Sequence, residues 1–358
     1  MTLPPIRIGA RRSPLARAQA DLVAGLLASA GVGSEFVGIT TLGDVDGRAL
    51  TEIGGTGVFT SAVREALVEG RIDVAVHSLK DLPTAPVDGL LLAAVPARED
   101  TRDVLVGLRL SDLRDGVRIG TGAPRRVVQL VELGNRLGIV IEPVPIRGNV
   151  DTRIAQVASG AFDAVLLATA GLRRLGHLLD TLEGSSNSDT VVKGLPATIL
   201  AADDVLPAPG QGALALEVHE SLSTPRANAV RLLNDPVSRA ESLAERGFLA
   251  TLEAGCMAPV GARAIVKSVR GMSFDLTLTA VIGRTYLSNL SEPTKSGPIP
   301  TSGLFRLQRR GTTEDPVQFG AAAAREALTE LLDEPVPDGH VQRADRASAP
   351  NTERENPL

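Results

Sequence analysis

The chain has 358 residues with 43% apolar and 22% charged side chains, a length and balance that predict two or three soluble domains rather than one core. Its formal net charge of −5 argues against a globally basic nucleic-acid binder, and with aromatics at 2% and no Trp the core has to be aliphatic. The one cysteine, Cys256, cannot close an intramolecular disulfide or build a multi-cysteine zinc site, and His77, His177, His219 and His340 show no ligand spacing, so no metal and a reducing, cytoplasmic setting are expected.

The start, Met1 to Arg7, lacks the charged and apolar pattern of a secretory signal, and no long apolar run follows, so no membrane partner is expected. A strand is predicted over Ile6 to Ala10. It leads into a helix with Ser13 as N-cap, Pro14 at the first helical position, and Leu15, Ala18, Leu22, Val23 and Leu26 at helical spacing. The unit recurs as strand Val117 to Gly120, a turn, and a helix from Pro124 through Val127, Leu130 and Val131; Pro14 to Gln19 and Pro124 to Gln129 have equal spacing. A second pair, Gly70 to Val76 and Gly160 to Leu166, supports a duplication. Two similar halves of alternating helices and strands predict α/β domains with open, doubly wound, largely parallel sheets, whose ligands bind at the carboxyl ends of strands in the cleft between the halves.

From Pro236 the pattern changes. A helix with Ala240, Leu243, Ala244 and Phe248 on one face precedes two alternating segments, Ala262 to Val269 and Phe274 to Ile282, and a closing helix spans about Val317 to Leu332, which predicts a smaller C-terminal α+β domain. The stretches Glu183 to Asp189 and Ser291 to Gly303 read as surface loops, and 335–358 as a disordered tail. The expected domains are 1–99 with 200–219, 104–197, and 223–334.

His77-Ser78-Leu79-Lys80-Asp81-Leu82-Pro83 follows a buried strand and puts a carboxylate at the mouth of a cleft, where Asp81 would stabilise a developing cation and handle protons near a leaving amine; a solvated turn with an ion pair is the alternative. Arginines gather at predicted strand and turn ends: Arg11, Arg12, Arg125, Arg126, Arg147, Arg153, Arg173 and Arg174. Guanidinium forks match carboxylates, so such a set suits a polycarboxylate ligand, although any one of them taken alone is more often a surface charge than a ligand contact. Cys256 lies between Gly255 and Met257 on a predicted turn, where its thiolate would reach a ligand unless it is simply a small buried side chain. The run Gly54 to Gly57 lacks the Lys-Ser/Thr of a phosphate loop and reads as a lid or a plain turn.

Taken in order, Arg11 to Ala16, Val76 to Pro83, Pro124-Arg125-Arg126, Arg147 to Arg153, Ala170 to Gly176, Pro209 to Ala213 and Glu253 to Cys256 closely resemble the hydroxymethylbilane synthases, or porphobilinogen deaminases. The resemblance implies three domains, two of them periplasmic-binding-protein-like, with a third bearing the cysteine. It implies a dipyrromethane cofactor joined through Cys256 and held by Lys80, Ser78, Thr121, Arg125 and Arg126, Asp81 as the catalytic carboxylate, and Arg11, Gln19, Arg147, Arg153 and Arg174 on the substrate porphobilinogen or the growing chain. It also implies a monomer. The alternatives are a non-catalytic anion-binding module of periplasmic type and a decayed paralogue. Departures from the family pattern are Gly122-Ala123, where Ser-Ser is common, and Leu42, Glu52 and Thr56, where basic residues are frequent.

Overall fold

The computed structural model describes residues 4–41, 60–179, 186–254, 258–284 and 303–333. The expected lid at Gly54 to Gly57, the departures at Leu42, Glu52 and Thr56, Cys256 itself and the expected tail lie outside them.

In the first lobe β1 (Ile6–Arg11) opens the sheet with Ile6, Ile8 and Ala10 buried. Ser13 then caps α1 (Pro14–Ser29): its hydroxyl oxygen accepts the Ala16 N–H at 3.3 Å, and Pro14 loses nothing at a position with no intrahelical donor role. Ala16, Ala20, Val23 and Leu27 form the buried stripe of α1 against β1. After β2 (Ser34–Ile39), α2 (Ser61–Val68), β3 (Val74–Ser78) and β4 (Leu90–Ala94), the chain crosses to the second lobe.

That lobe contains β5 (Asp103–Val106), β6 (Val117–Gly120), α3 (Pro124–Leu137), β7 (Ile141–Val144), α4 (Val150–Ala158), β8 (Ala164–Ala168), α5 (Thr169–Arg174), β9 (Ser188–Val192) and β10 (Leu195–Ile199). A second crossing returns the chain to the first lobe as β11 (Leu214–His219). The strand orders are β2-β1-β3-β11-β4 and β7-β6-β8-β5-β10-β9, so the duplication expected from the sequence is visible as matched topology.

The sheets are mixed rather than largely parallel. β1 pairs in parallel with β2 and β3, and β6 with β7 and β8, but β11 runs antiparallel to β3 and β5 antiparallel to β8. The reason is the double crossing: each lobe receives its central antiparallel strand from chain arriving out of the other lobe, which no local pattern announces. The predicted loop ending at Asp189 also gives way to strand, because Ser188 and Asp189 pair with Ile199 and Thr198.

The third unit begins after α6 (Thr224–Arg231). Helix α7 (Pro236–Thr251) leads to an antiparallel sheet of β12 (Val260–Arg270), β13 (Ser273–Gly283) and β14 (Leu304–Thr313), closed by α8 (Pro316–Asp333). Phe248, Leu276, Leu278, Ile282, Phe305 and Phe319 fill its core. Among the described residues no helix is long and apolar enough to cross a membrane.

Candidate active site

The turn after β3 is fixed from three sides. Leu79 and Leu82, three apart in a single tight helical turn, are buried with Val95, Ala213 and Ala215, which leaves Lys80 half-buried on one side and Asp81 exposed on the other. The Leu79 N–H donates to Ala213 O at 3.0 Å, tying the turn to the returning crossing segment. From the third unit, Arg246 of α7 donates to Leu82 O and Pro83 O, both at 2.8 Å. Burial lowers the Arg246 pKa to about 10, against the pull of Glu217.

Asp81 is exposed and lines a cavity of about 70 Å³ with Arg11, Ser13, Gln19, Thr60, His77 and Ser78. Arg11 reaches it from the carboxyl end of β1, and buried Gln19 from the first turns of α1, its Nε2 donating to Ser78 Oγ at 2.8 Å. Beneath this floor lies a buried ion pair: Arg64 binds Glu217 through two bonds of 2.9 and 2.8 Å, and His77 Nε2 lies 3.2 Å from Glu217 Oε2. Burial would raise the Glu217 pKa, but Arg64 and His77 hold it down at about 2.

A second group of side chains meets where the lobes join. Arg125 and Arg126, buried in the first turn of α3, converge on Asp103 at the start of β5. Arg125 Nη1 is 2.9 Å from Asp103 Oδ2, and Arg126 Nη2 donates to Oδ1 at 2.7 Å. Arg125 Nη1 also donates to Leu206 O and Arg126 Nη1 to Leu166 O. Burial would raise the Asp103 pKa, yet the two guanidinium groups hold it below the usual carboxylate range.

Gln211 completes the group. Its Nε2 donates to Asp103 Oδ1 at 2.8 Å and to Thr101 O at 2.7 Å, while its Oε1 accepts from Arg125 Nη2 at 3.1 Å and from Lys80 Nζ at 3.3 Å. The Lys80 ammonium is pushed down to about 8 by burial, with Arg126 and Arg125 adding to the fall and Asp81 and Asp103 opposing it.

Other expected site residues lie along the same join. Thr121, buried at the end of β6, accepts the Ala123 N–H with its hydroxyl at 3.2 Å, so the departure at Gly122-Ala123 leaves one side-chain oxygen there. Arg153 of α4 donates to Gly148 O at 2.8 Å; its pKa is lowered by burial and by Arg126 and Arg147, which places it in the same positive field. Arg147 is exposed. Arg174 at the end of α5 donates to Gly212 O at 2.6 Å, has a buried Nε with no hydrogen-bond partner, and is lowered to about 10 by burial. The structure thus brings Arg11, Gln19, Ser78 and Asp81 to one cavity, and Lys80, Arg125 and Arg126 to one buried cluster beside it.

A sequence model of the porphobilinogen deaminase dipyrromethane cofactor binding domain matches residues 6–225, and one of the porphobilinogen deaminase C-terminal domain matches residues 240–329. The chain belongs to the porphobilinogen deaminase family. Porphobilinogen deaminase 1 of Streptomyces coelicolor is 48% identical over 84% of this chain and 90% of its own. The porphobilinogen deaminase of Nocardia farcinica is 42% identical over 90% of this chain and 86% of its own. Among solved structures, the methionine binding protein MetQ is similar with a TM-score of 0.36 at 11% identity, over 64% of this chain and 89% of that one.

The side chains present fit the dipyrromethane cofactor of a porphobilinogen deaminase, a group rich in carboxylates. Lys80, Arg125, Arg126 and Arg153 outnumber Asp81 and Asp103 around the join, and the unpartnered Nε of Arg174 is a further buried donor. Such a surplus of half-desolvated cations calls for anions. Neither Asp103 nor Gln211 was singled out as a site residue: Asp103 follows the charged run Arg98-Glu99-Asp100-Thr101-Arg102 and belongs to no motif, and Gln211 entered only as part of the Pro209 to Ala213 segment of the resemblance.

Proposed function

We infer that the chain acts as a hydroxymethylbilane synthase, a transferase that condenses four porphobilinogen molecules head to tail with loss of four molecules of ammonia, after which one water cleaves the tetrapyrrole from the primer as linear hydroxymethylbilane. The observation that carries the residue assignment is one exposed carboxylate, Asp81, on a turn locked from three sides and set between a cavity and a cation cluster.

When bound through Cys256, the dipyrromethane group supplies a primer with a free pyrrole α-carbon. Lys80, Arg125 and Arg126 hold its carboxylates, with Ser78 and Thr121 offering hydroxyls. Arg11, Arg147, Arg153 and Arg174 neutralise the acetate and propionate groups of porphobilinogen and of the lengthening product, whose negative charge grows with each unit. Gln19 orients Ser78 at the cavity wall.

Each condensation breaks the aminomethyl C–N bond of one porphobilinogen and forms one C–C bond to a pyrrole α-carbon, which gives up its proton. Positive charge develops on the substrate pyrrole as ammonia departs. Asp81, held next to that position, stabilises the charge and relays protons to the leaving amine. The anion-binding module without chemistry and the decayed paralogue are not favoured. The family is enzymatic, and the protein is taken to work as a cytoplasmic monomer.

Turnover with porphobilinogen, read together with intact mass, tests the assignment. The purified chain is expected to carry a two-pyrrole adduct that vanishes in Cys256→Ser, and Asp81→Asn to keep the adduct while losing turnover by about a hundredfold or more. An unmodified parent mass after exposure to porphobilinogen would overturn the function, and full turnover by Asp81→Asn would overturn the role of that carboxylate.

A further inference from the structure

The proposed cofactor residues come from both lobes, Lys80 from the first and Arg125 and Arg126 from the second, and as three cations without an acceptor they cannot hydrogen-bond one another across the join. What connects them is a pair of side chains with no assigned role. Asp103 is fully buried and takes five contacts: Arg125 Nη1 at 2.9 Å and Nη2 at 3.2 Å, Arg126 Nε at 3.1 Å and Nη2 at 2.7 Å, and Gln211 Nε2 at 2.8 Å. Gln211, also fully buried, joins that carboxylate through its amide nitrogen and receives Arg125 and Lys80 on its amide oxygen.

Three features argue that the pair serves ligand binding and not only cohesion. The carboxylate is shared by two guanidiniums, so it neutralises them only in part and leaves the cluster cationic. Gln211 cannot swing away, since Gly210 and Gly212 on either side adopt φ of +76° and +87° and pack against the Leu79-Lys80 turn and the Glu99 carbonyl. And the amide is oriented by its donors: Thr101 O and Asp103 can only accept from the nitrogen, so the oxygen has to face the two cations.

We propose that Asp103 and Gln211 are positioning residues which hold Arg125, Arg126 and Lys80 in one fixed array across the lobe junction, ready to receive the carboxylates of the two-pyrrole primer. This rests on the assignment of those three cations to the cofactor. Without Asp103 the guanidiniums lose their common anchor and move toward whichever anion is nearest. Without Gln211 the Lys80 ammonium loses its register with Arg125. The array is then assembled by the ligand instead of awaiting it, and the ordering cost falls on the binding step.

The test is the rate at which unloaded chain gains the two-pyrrole mass on exposure to porphobilinogen, followed by intact-mass measurement, with Tm recorded alongside. Asp103→Asn offers one acceptor where the carboxylate offers two, and Gln211→Met keeps volume while removing both polar ends. Both are expected to load about tenfold more slowly or worse, on the scale of positional errors in preorganised sites. Asp73→Asn is the control: it weakens the Arg7 and Arg226 pairs on another part of the first lobe, at 2.8 and 3.0 Å, and is expected to lower Tm with loading unchanged. Loading at the parent rate in Gln211→Met, or loading in Asp103→Asn that falls no further than in Asp73→Asn at equal loss of Tm, would overturn the proposal. Should Asp103→Asn fail to fold, Gln211→Met decides alone, because it leaves every charge of the cluster in place. A parent chain that never gains the mass would instead sink the functional assignment beneath it.

Discussion

Lys80 shows how a single side chain is tuned by where it sits. Its ammonium is half-buried beside Arg125 and Arg126, and burial with those like charges moves its pKa from 10.5 to about 8, although Asp81 and Asp103 favour the charged form. The protonated form binds an anion and the neutral form does not. Carboxylate binding therefore favours protonation, is strongest below about pH 8, and weakens as pH rises through that value. The loading rate of the unloaded chain is expected to show a falling limb near pH 8 that disappears in Lys80→Arg, whose guanidinium stays charged throughout. A falling limb unchanged in that variant would assign it to another group. Lys80 and Asp81 were legible in the sequence because a strand, a turn and Pro83 locate them. The lowered pKa was not, since its causes lie in Arg125, Arg126 and Asp103, far along the chain.

Among elements, α7 and α8 approach each other closely at two glycines. A Cβ on Gly247 would collide with Val317 O, and one on Gly320 with Ala244 O, so each helix presents a glycine to the backbone of the other. Gly320→Ala is expected to cost about 3 kcal/mol through overpacking, visible as a drop in Tm. Gly25 makes the contrasting case: it is exposed within α1 with open space around its Cα, and Gly25→Ala is expected to stabilise by about 0.5 to 1 kcal/mol. Equal effects from the two variants would refute the close-packing account. Both helices were expected from the sequence, one after Pro236 with Ala240, Leu243, Ala244 and Phe248 on one face and one over about Val317 to Leu332; their caps at Asp235 and Asp315 emerge only in the structure. Their glycine contact was not expected, because helical spacing reports which face is apolar and not how near the partner comes. Strand β14 was missed for a related reason: only Phe305 and Leu307 are buried, while Arg306, Gln308, Arg309 and Arg310 dilute the alternation.

For the whole molecule the decisive feature is that three units meet at one carboxylate. Glu245 of α7 is fully buried, receiving Arg98 of the first crossing segment at 2.8 and 2.7 Å, the Gly210 N–H of the second crossing at 2.7 Å, and the Ala264 N–H of its own sheet at 2.8 Å. Arg98 in turn donates to Gln211 O at 2.9 Å. The unit bearing Cys256 is thereby fastened to both crossing segments, and through Arg246 to the turn bearing Asp81. A carboxylate with four donors cannot be replaced by an amide without leaving a donor facing a donor, and Arg98 would keep only Glu241, at 3.6 Å, as counter-charge. Glu245→Gln is expected to cost about 3 to 5 kcal/mol, the scale for unpairing a buried charge. The loss falls on docking more than on the core of the third unit, whose Phe248, Leu276 and Phe319 are untouched. Calorimetry should then show the third unit melting apart from the two lobes, with faster proteolysis of the segment joining α6 to α7. A single transition at the parent temperature would mean that apolar contact such as Leu206 against Val281, and not this carboxylate, holds the units together.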